Sequence, residues 1–183
     1  MAAQDEKVVF GQSMEGLYRA LQPLTPQERA AFIKIGVIGE GKFSAAYPLA
    51  QYMDVQAASA ASRFAHLPTE NDRYVELGRV FIAGYEKTLL GSAMLAMLKI
   101  IGPRRALDRL TRSMRTANNF SSGTFESLAP NHHRITINYT IRPGFYQGLL
   151  EAALLRAGAK DLKIAVINTT AELVTTYEVT WAS

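Results

Sequence analysis

One stretch decides the fold: RYVELGRVFIAGYEKTLLGSAMLAMLKIIGPRRALDRLTRSMRTANNF, residues 73–120. Within it, Gly84, Thr88 and Gly91 follow one another at i, i+4 and i+7, which predicts that they lie on one face of a helix. Each glycine costs about 1 kcal/mol relative to alanine inside a helix. We therefore expect close packing at this notch to compensate, at or near a helix contact of a homodimer.

The sequence also marks where the helices of this stretch begin and end. Thr69-x-x-Asp72 offers an N-cap for a long helix over about 70–99. Gly102-Pro103 interrupts that helix and starts the next one, because proline fits the first turn of a helix but not its interior. The second helix is expected to run to about residue 117, with one apolar face.

The second helix carries the net charge of the whole chain. Segment 103–118 has five arginines and one aspartate, and the chain has a net charge of +4. The five are Arg104, Arg105, Arg109, Arg112 and Arg115. Guanidinium groups suit carboxylate and phosphate, so the helix is a candidate site for an acidic protein or an anionic membrane surface. A solvated polar face is the alternative, and nucleic acid is not expected because no aromatic residue interleaves with the arginines.

Shorter helices and a sheet complete the predicted fold. Helices are expected over about 13–21, 25–34 and 48–65, which gives about five in residues 1–120. From residue 121 the apolar residues alternate, and the pattern predicts a ββαββ half over 121–183 with a helix opened by Pro143. The fold class is α+β, as a single domain over 1–183 with an antiparallel sheet.

Composition removes several classes of chemistry. The chain has no cysteine, which excludes disulfides, thiolate zinc sites and cysteine nucleophiles and fits a cytoplasmic location. The apolar window 88–101 is too short to span a bilayer, and residues 1–11 lack the pattern of a signal peptide. There is no GxSxG, HExxH or P-loop motif, so we expect no enzyme and assign no catalytic residue.

Several segments resemble a paralogous myxobacterial domain family of unknown function. They are FGQSMEGLYRAL, AYPLAQYMDV, RYVELGRVFIAGYEKTLLG, GPRRALDRL, TANNF and YEVTW. The resemblance covers the chain from about Phe10 to Trp181. It implies the fold and carries no assigned reaction.

The order of helices before a ββαββ unit is more distantly similar to a ligand-binding superfamily. This superfamily contains haem nitric-oxide sensors, vinyl-reductase-type regulatory domains and vesicle-tethering subunits. The similarity implies a cavity for a small molecule or acyl chain between helices and sheet, often within a homodimer. The chain lacks the Tyr-x-Ser-x-Arg motif of the haem sensors, has no cysteine and has no histidine in the helix before the sheet. Haem, zinc and covalent palmitate are therefore disfavoured, and no cofactor is expected.

Aromatic residues and methionines are the candidate lining of such a cavity, with a plain hydrophobic core as the alternative. They are Tyr85, Met94, Met97, Tyr139, Phe145, Tyr146, Tyr177 and Trp181. The residues lead to two hypotheses. The first is a non-enzymatic sensor that binds an apolar small molecule between helices and sheet. The second is a ligand-free scaffold that docks an acidic protein or an anionic membrane through segment 103–118, here called the arginine helix.

The remaining polar candidates have simpler interpretations. His132 and His133 are expected to be solvated turn residues that point to opposite sides of a strand and cannot share a metal ion. His66 is expected at the surface. Asn118-Asn119 follows the arginine helix, where asparagine often adopts the left-handed capping conformation, so a helix cap is favoured over a ligand site.

Overall fold

The expected order of helices followed by a ββαββ half is confirmed in the computed structural model, which describes residues 6–37 and 43–182. In these ranges the helices are α1 Gly11–Ala20, α2 Pro26–Lys34, α3 Leu49–Ser62, α4 Glu70–Tyr85, α5 Leu89–Arg112 and α6 Pro143–Arg156. The strands are β1 Val8–Phe10, β2 Ala46–Pro48, β3 Gly123–Ala129, β4 His132–Ile137, β5 Lys160–Thr169 and β6 Thr175–Ala182. No helix within the described ranges is long and apolar enough to cross a membrane.

The single long helix expected over 70–99 is wrong, because the chain breaks between α4 and α5. Thr88 is the N-cap of α5: its hydroxyl oxygen accepts a hydrogen bond from the Gly91 amide (3.1 Å) and its hydroxyl donates to the Tyr85 carbonyl (2.8 Å). Threonine side chains favour such caps over a helix interior. Gly84, Thr88 and Gly91 consequently do not form one helix face, and all three are buried within the chain.

Helix α5 itself consists of two segments. Gly102 has φ 76° and ψ 168°, a conformation outside the helical region that glycine adopts without steric cost. Pro103 then begins the second segment, 103–112, as the sequence predicts. Thus the arginines lie on a helix with its own N-terminus rather than in the interior of a longer one.

Two helix crossings bring backbones into direct contact. At the α4–α6 crossing, a Cβ added to Gly78 would lie 2.1 Å from the Phe145 carbonyl oxygen, and one added to Gly148 would lie 1.9 Å from that of Val75. At the α1–α4 crossing, a Cβ on Gly84 would lie 2.2 Å from the Gly16 carbonyl oxygen. These separations leave no room for a side chain, so glycine sets the spacing of α1, α4 and α6.

The four-stranded sheet has the order β3-β4-β6-β5, and all its neighbours are antiparallel. One face is buried by alternating residues of β4 and β6, among them Ile135, Ile137, Tyr177 and Val179. The hydroxyl of Tyr177 donates to the carbonyl of Pro143 at the start of α6 (2.9 Å), so α6 lies on this face. The two-stranded ribbon of β1 and β2 lies at the N-terminal end, and its last residue, Pro48, is the N-cap of α3, close to the helix start expected at residue 48.

A buried ion pair ties the N-terminal helices together. Glu28 is fully buried, and its carboxylate accepts hydrogen bonds from Arg63 Nε and Nη2 at 2.8 and 2.7 Å. The same carboxylate accepts from the amide of Thr25 as part of the capping box of α2. The pair fixes α2 against the end of α3.

Candidate functional site

Two adjoining apolar cavities lie between α6 and the N-terminal helices. Their volumes are about 90 Å³ and about 80 Å³. Both are lined by Ser13, Phe81, Ala117, Asn118, Tyr146 and Leu149. Because α6 lies between these cavities and the sheet, they are bordered by helices and by the segments before β3 and after β4, not by helices and sheet as expected.

The structure brings together five of the residues proposed as cavity lining. Tyr85 and Met94 line the second cavity, Tyr139 and Phe145 line the first, and Tyr146 lines both. The other three proposed residues lie elsewhere: Met97, Tyr177 and Trp181. Tyr177 contacts the start of α6 through the Pro143 carbonyl and lies outside both cavities, and Trp181 lies near the other end of β6, against the arginine helix.

Polar groups at the shared wall are used mainly to fix the segment that follows the arginine helix. The side-chain oxygen of Asn118 accepts hydrogen bonds from the amides of Phe120 (3.0 Å) and Ser121 (2.6 Å). Ser121 and Tyr146 share a hydrogen bond between their hydroxyls at 3.1 Å. The expected left-handed cap is wrong, since the described non-glycine residues with positive φ do not include either asparagine.

Asn119 holds the N-terminal strand. Its side-chain oxygen accepts from the Val8 amide and its side-chain nitrogen donates to the Glu6 carbonyl, both at 2.9 Å. The residue therefore has the structural role of joining the chain before α1 to the end of the helical half.

An arginine closes the polar end of the first cavity. Arg142 donates to the Met53 carbonyl (3.0 Å) and to the Gln56 side-chain oxygen (2.9 Å), and its guanidinium lies 4.3 Å from the centre of the Tyr74 ring. Burial lowers the pKa of Arg142 and raises the pKa of Tyr52, which also lines this cavity. The tyrosine hydroxyl stays neutral, so the end of the cavity offers one cation and uncharged polar groups.

Tyr139 is the strained residue of the lining. Its φ of 55° is in the left-handed region, which a residue with a bulky side chain rarely adopts. Its ring packs edge-on against Phe120 with 5.3 Å between ring centres, and the Lys7 ammonium lies 4.6 Å from its centre. Strain of this kind is concentrated at functional sites, and it makes this wall of the cavity a point of interest.

The arginine helix borders a separate space, open to solvent, with a volume of about 560 Å³. Arg104, Arg105 and Arg112 line it, and Phe125 and Trp181 from the sheet line it as well. The other two arginines proposed for anion binding lie outside this lining: Arg109 is exposed, and Arg115 donates to the carbonyl of Asn119. We call this space the arginine groove.

The expectation that both adjacent histidines are solvated turn residues is wrong. His133 is fully buried in β4, with its ring centre 4.6 Å from that of Trp181 and 5.3 Å from that of Phe125. His132 points to the opposite face, where its Nε2 lies 2.9 Å from Glu178 Oε1. Among the described residues no group of three or more His, Asp or Glu is arranged to hold a metal ion.

The surroundings of His133 favour its neutral form. Burial lowers its pKa and the nearby Arg104 lowers it further, against the opposing effect of the Pro130 carbonyl. His66 is exposed in the connection between α3 and α4, as expected. The three histidines therefore lie in different environments, and of these only His133 lies beneath the arginine groove.

Sequence reasoning missed several cavity residues, notably Ser13, Phe81 and Tyr52. Phe81 could have been predicted from the sequence, because it lies one helical turn before Tyr85. In the structure the two rings stack with 5.5 Å between their centres. Ser13 gave no signal, since a small polar residue near a helix start is ordinary. Its hydroxyl contacts the Ala117 carbonyl at 3.3 Å across more than a hundred residues of chain.

The sequence matches the model of a protein family over residues 7–182, which is nearly all of the described chain. That family has the description "Protein of unknown function (DUF2378)". No curated protein matches the sequence. The resemblance to a family of unknown function is therefore confirmed.

Solved structures of H-NOX proteins are similar to this fold. A crystal structure of an Fe(II) unliganded H-NOX mutant from K. algicida has 14% identity and a TM-score of 0.65, covering 95% of this chain and 97% of that chain. A structure described as modulating haem redox potential through porphyrin distortion has 9% identity and a TM-score of 0.67, covering 94% and 95%. An oxygen-binding H-NOX domain related to soluble guanylate cyclases, in its oxygen complex, has 8% identity and a TM-score of 0.67, covering 94% and 95%. At these identities the likeness concerns the fold, and the expected distant similarity to haem sensors is confirmed at that level.

Proposed function

This chain belongs to the DUF2378 family of proteins of unknown function, and we propose that it is a cytoplasmic sensor module that binds a small apolar molecule without catalysing a reaction. The observation that carries the proposal is the pair of adjoining apolar cavities that share Phe81, Tyr146 and Leu149. Natural interiors are packed to high density, so two voids that share a wall are unusual. The H-NOX fold of the similar structures supports the same conclusion by analogy.

The size and lining of the cavities indicate the class of ligand. An apolar cavity of about 150 Å³ binds benzene, and cavities of about 90 and 80 Å³ are smaller than that. Arg142, Gln56 and the Tyr52 hydroxyl lie at one end of the first cavity. We therefore propose a ligand with a short apolar body and one polar end, such as a short-chain alcohol or acid.

Haem is not the proposed ligand, although one of the similar structures is described by its haem redox potential. Both cavities are far below the ~300 Å³ at which cofactor-sized sites begin. Their lining contains no histidine. The segment before α6 reads Tyr139-Thr140-Ile141-Arg142-Pro143, with isoleucine and proline where the haem-sensor motif has serine and arginine. Titration with haemin is expected to give no saturable change in the haem absorption band, and a stoichiometric change would contradict this part of the proposal.

Signalling is proposed to follow from the position of α6. The helix has the cavities on one side and the sheet on the other. A ligand that favours wider cavities therefore displaces α6, and α6 in turn displaces the sheet. A ligand can shift such an equilibrium only by its difference in affinity for the two arrangements. The strained Tyr139, between β4 and α6, is the residue most suited to change conformation.

A homodimer remains part of the proposal, but through another surface than the buried glycine notch. Leu89, Ala93, Ala96 and Ile100 form an exposed stripe along the first segment of α5, and Leu89 and Ile100 are 95% and 85% exposed. Apolar residues at this spacing suit packing against a second helix. Ile100→Glu is expected to convert a dimer to a monomer in light scattering, and a wild-type chain that is monomeric at all concentrations would remove the dimer from the proposal.

The first experiment is native mass spectrometry of the protein purified from its own source, followed by denaturation and identification of released small molecules. A stoichiometric apolar or amphipathic compound is the expected result. In parallel, thermal unfolding is measured with alcohols of increasing chain length as probes.

Two variants make the probe experiment specific. Ala117 lines both cavities, so Ala117→Leu fills them, whereas Ala83→Leu adds the same atoms at an exposed position of α4. We expect the alcohols to stabilise wild type and Ala83→Leu and to lose their effect on Ala117→Leu. Equal stabilisation of all three proteins, together with no co-purifying compound, would overturn the sensor proposal.

The competing proposal is a ligand-free scaffold that docks an acidic protein or an anionic membrane through segment 103–118. It is supported by exposed Arg104, Arg105 and Arg109, which take part in none of the ion pairs between described residues. Binding to vesicles that contain anionic lipid, lost on charge reversal at Arg105 and Arg109 and weakened by salt, would favour the scaffold over the sensor.

A further inference from the structure

The arginine groove has the dimensions of a small-molecule site and is separate from the apolar cavities. Its volume of about 560 Å³ lies inside the roughly 300–1,000 Å³ of typical ligand sites. It is formed where α5 restarts at Pro103 and where β3 and β6 present Phe125 and Trp181. Residues far apart in the sequence therefore meet in one open concave surface.

Two guanidinium groups in the groove are available for a ligand. Asp108 forms an ion pair with Arg112 (2.9 Å), which neutralises that arginine. In the described part of the chain, no ion pair within 4 Å involves Arg104 or Arg105. These two are exposed residues in the first turn of the second segment of α5, where the helix dipole also favours an anion.

Aromatic rings form the adjoining part of the groove. Trp181 and Phe125 both line it, and the ring of His133 lies between them. Neither ring nitrogen of this fully buried histidine has a hydrogen-bond partner of normal geometry.

The combination of chemistries selects one class of ligand. Guanidinium pairs bind phosphate through several charge-assisted hydrogen bonds. Tryptophan and phenylalanine rings stack on nucleobases. We propose that the arginine groove binds a nucleotide, with its phosphates on Arg104 and Arg105 and its base against Trp181 and Phe125. The aromatic residues do not interleave with the arginines along the chain, so sequence periodicity indicates the arginines but not their aromatic neighbours.

Trp181 supplies the readout because it is the only tryptophan in the chain. Its fluorescence is measured during titration with ADP, with excitation at the red edge of tryptophan absorption, where adenine does not absorb. Saturable quenching by ADP is expected, with adenosine and inorganic phosphate each binding at least about tenfold more weakly because each has half of the recognised groups. The titration is repeated at higher salt, where weaker binding is expected.

Matched variants test the assignment of residues. Arg104→Ala combined with Arg105→Ala is expected to weaken ADP binding by at least about tenfold. Arg109→Ala removes an exposed arginine of the same segment that lies outside the groove and is expected to leave binding unchanged. All these positions are exposed, so thermal unfolding of the variants is expected to match wild type.

Four results would overturn the proposal. They are absence of saturable quenching at millimolar ADP, equal loss of affinity in Arg109→Ala, inorganic phosphate binding as tightly as ADP, and single-stranded oligonucleotides binding more tightly than ADP. The third would assign a general anion site and the fourth a nucleic-acid surface. None of these results affects the apolar cavities, which are tested by Ala117→Leu.

Discussion

The apolar cavities and the arginine groove differ in what encloses them. The cavities lie among helices whose backbones touch at glycines, and their walls are aromatic and aliphatic side chains. The groove is open to solvent, and charged side chains from one helix meet aromatic rings from the sheet. Helix packing determines the shape of the apolar cavities, so we expect substitutions around them to change stability. Substitutions in the arginine groove are expected to change binding instead.

The largest effect is expected at the α4–α6 crossing. Gly148→Ala places a Cβ against the Val75 carbonyl, and we expect a loss of about 3 kcal/mol in the free energy of unfolding. Gly158→Ala is the control: it meets open space at φ 94° and is expected to cost about 1 kcal/mol from backbone strain alone. Urea denaturation measures both, and equal losses would show that the helices are not in backbone contact.

The second-largest effect is expected at the buried ion pair between Glu28 and Arg63. Arg63→Met leaves the fully buried Glu28 carboxylate without its partner, and about 2 kcal/mol of stability is expected to be lost, less than for a fully buried pair because Arg63 is 26% exposed. Arg105→Met in the groove is the matched change at an exposed arginine. If both variants unfold at the same urea concentration, the distinction between buried and open charges fails.

A pH effect is expected from His133, which is buried beneath the arginine groove. Its pKa is lowered in the folded protein by burial and by Arg104, so the unfolded chain takes up a proton at higher pH than the folded one. Stability is therefore retained above about pH 6.5 and lost as the pH falls below it, with a slope of at most about 1.4 kcal/mol per pH unit. His133→Phe is expected to remove this slope, and His66→Ala, at an exposed position, to retain it in thermal unfolding from pH 8 to 5.

The smallest effect is expected on the arginine helix. Arg104→Ala and Arg105→Ala should each change the free energy of unfolding by no more than about 0.5 kcal/mol, since exposed side chains without ion pairs contribute little. Chemical denaturation at low and high salt checks this. A large loss from either variant would mean that the groove arginines hold the fold together, and the contrast with the cavities would disappear.

Local patterns predicted the elements better than the sites. The alternation from Ile135 to Ile141 indicated a strand, although β4 ends at Ile137, and Pro143 correctly indicated the start of α6, because both signals act within a few residues. The break between α4 and α5 was missed because the apolar pattern continues past Thr88, and only the hydrogen bond from the Gly91 amide to its hydroxyl oxygen identifies it as the N-cap of α5.

The sites depend on contacts between distant residues, which periodicity does not reveal. Phe145 and Tyr146 were proposed as cavity lining and lie there, but Trp181 lines the arginine groove, because periodicity does not reveal where the second segment of α5 packs on the sheet. The arginines were recognised as an anion-binding candidate from charge alone. Their aromatic neighbours became apparent only when strand pairing brought Phe125 and Trp181 to the start of the second segment of α5.

The glycine crossings have a consequence for how this architecture can diversify. A relative with small residues at positions equivalent to 16, 78, 84 and 148 can keep α1, α4 and α6 at the same spacing, whatever its other residues are. A relative with larger residues there must move the helices apart, which widens the space around Phe81 and Tyr146. Those four positions thus offer a simple way to sort distant sequences into chains with narrow interiors and chains with room for a larger guest.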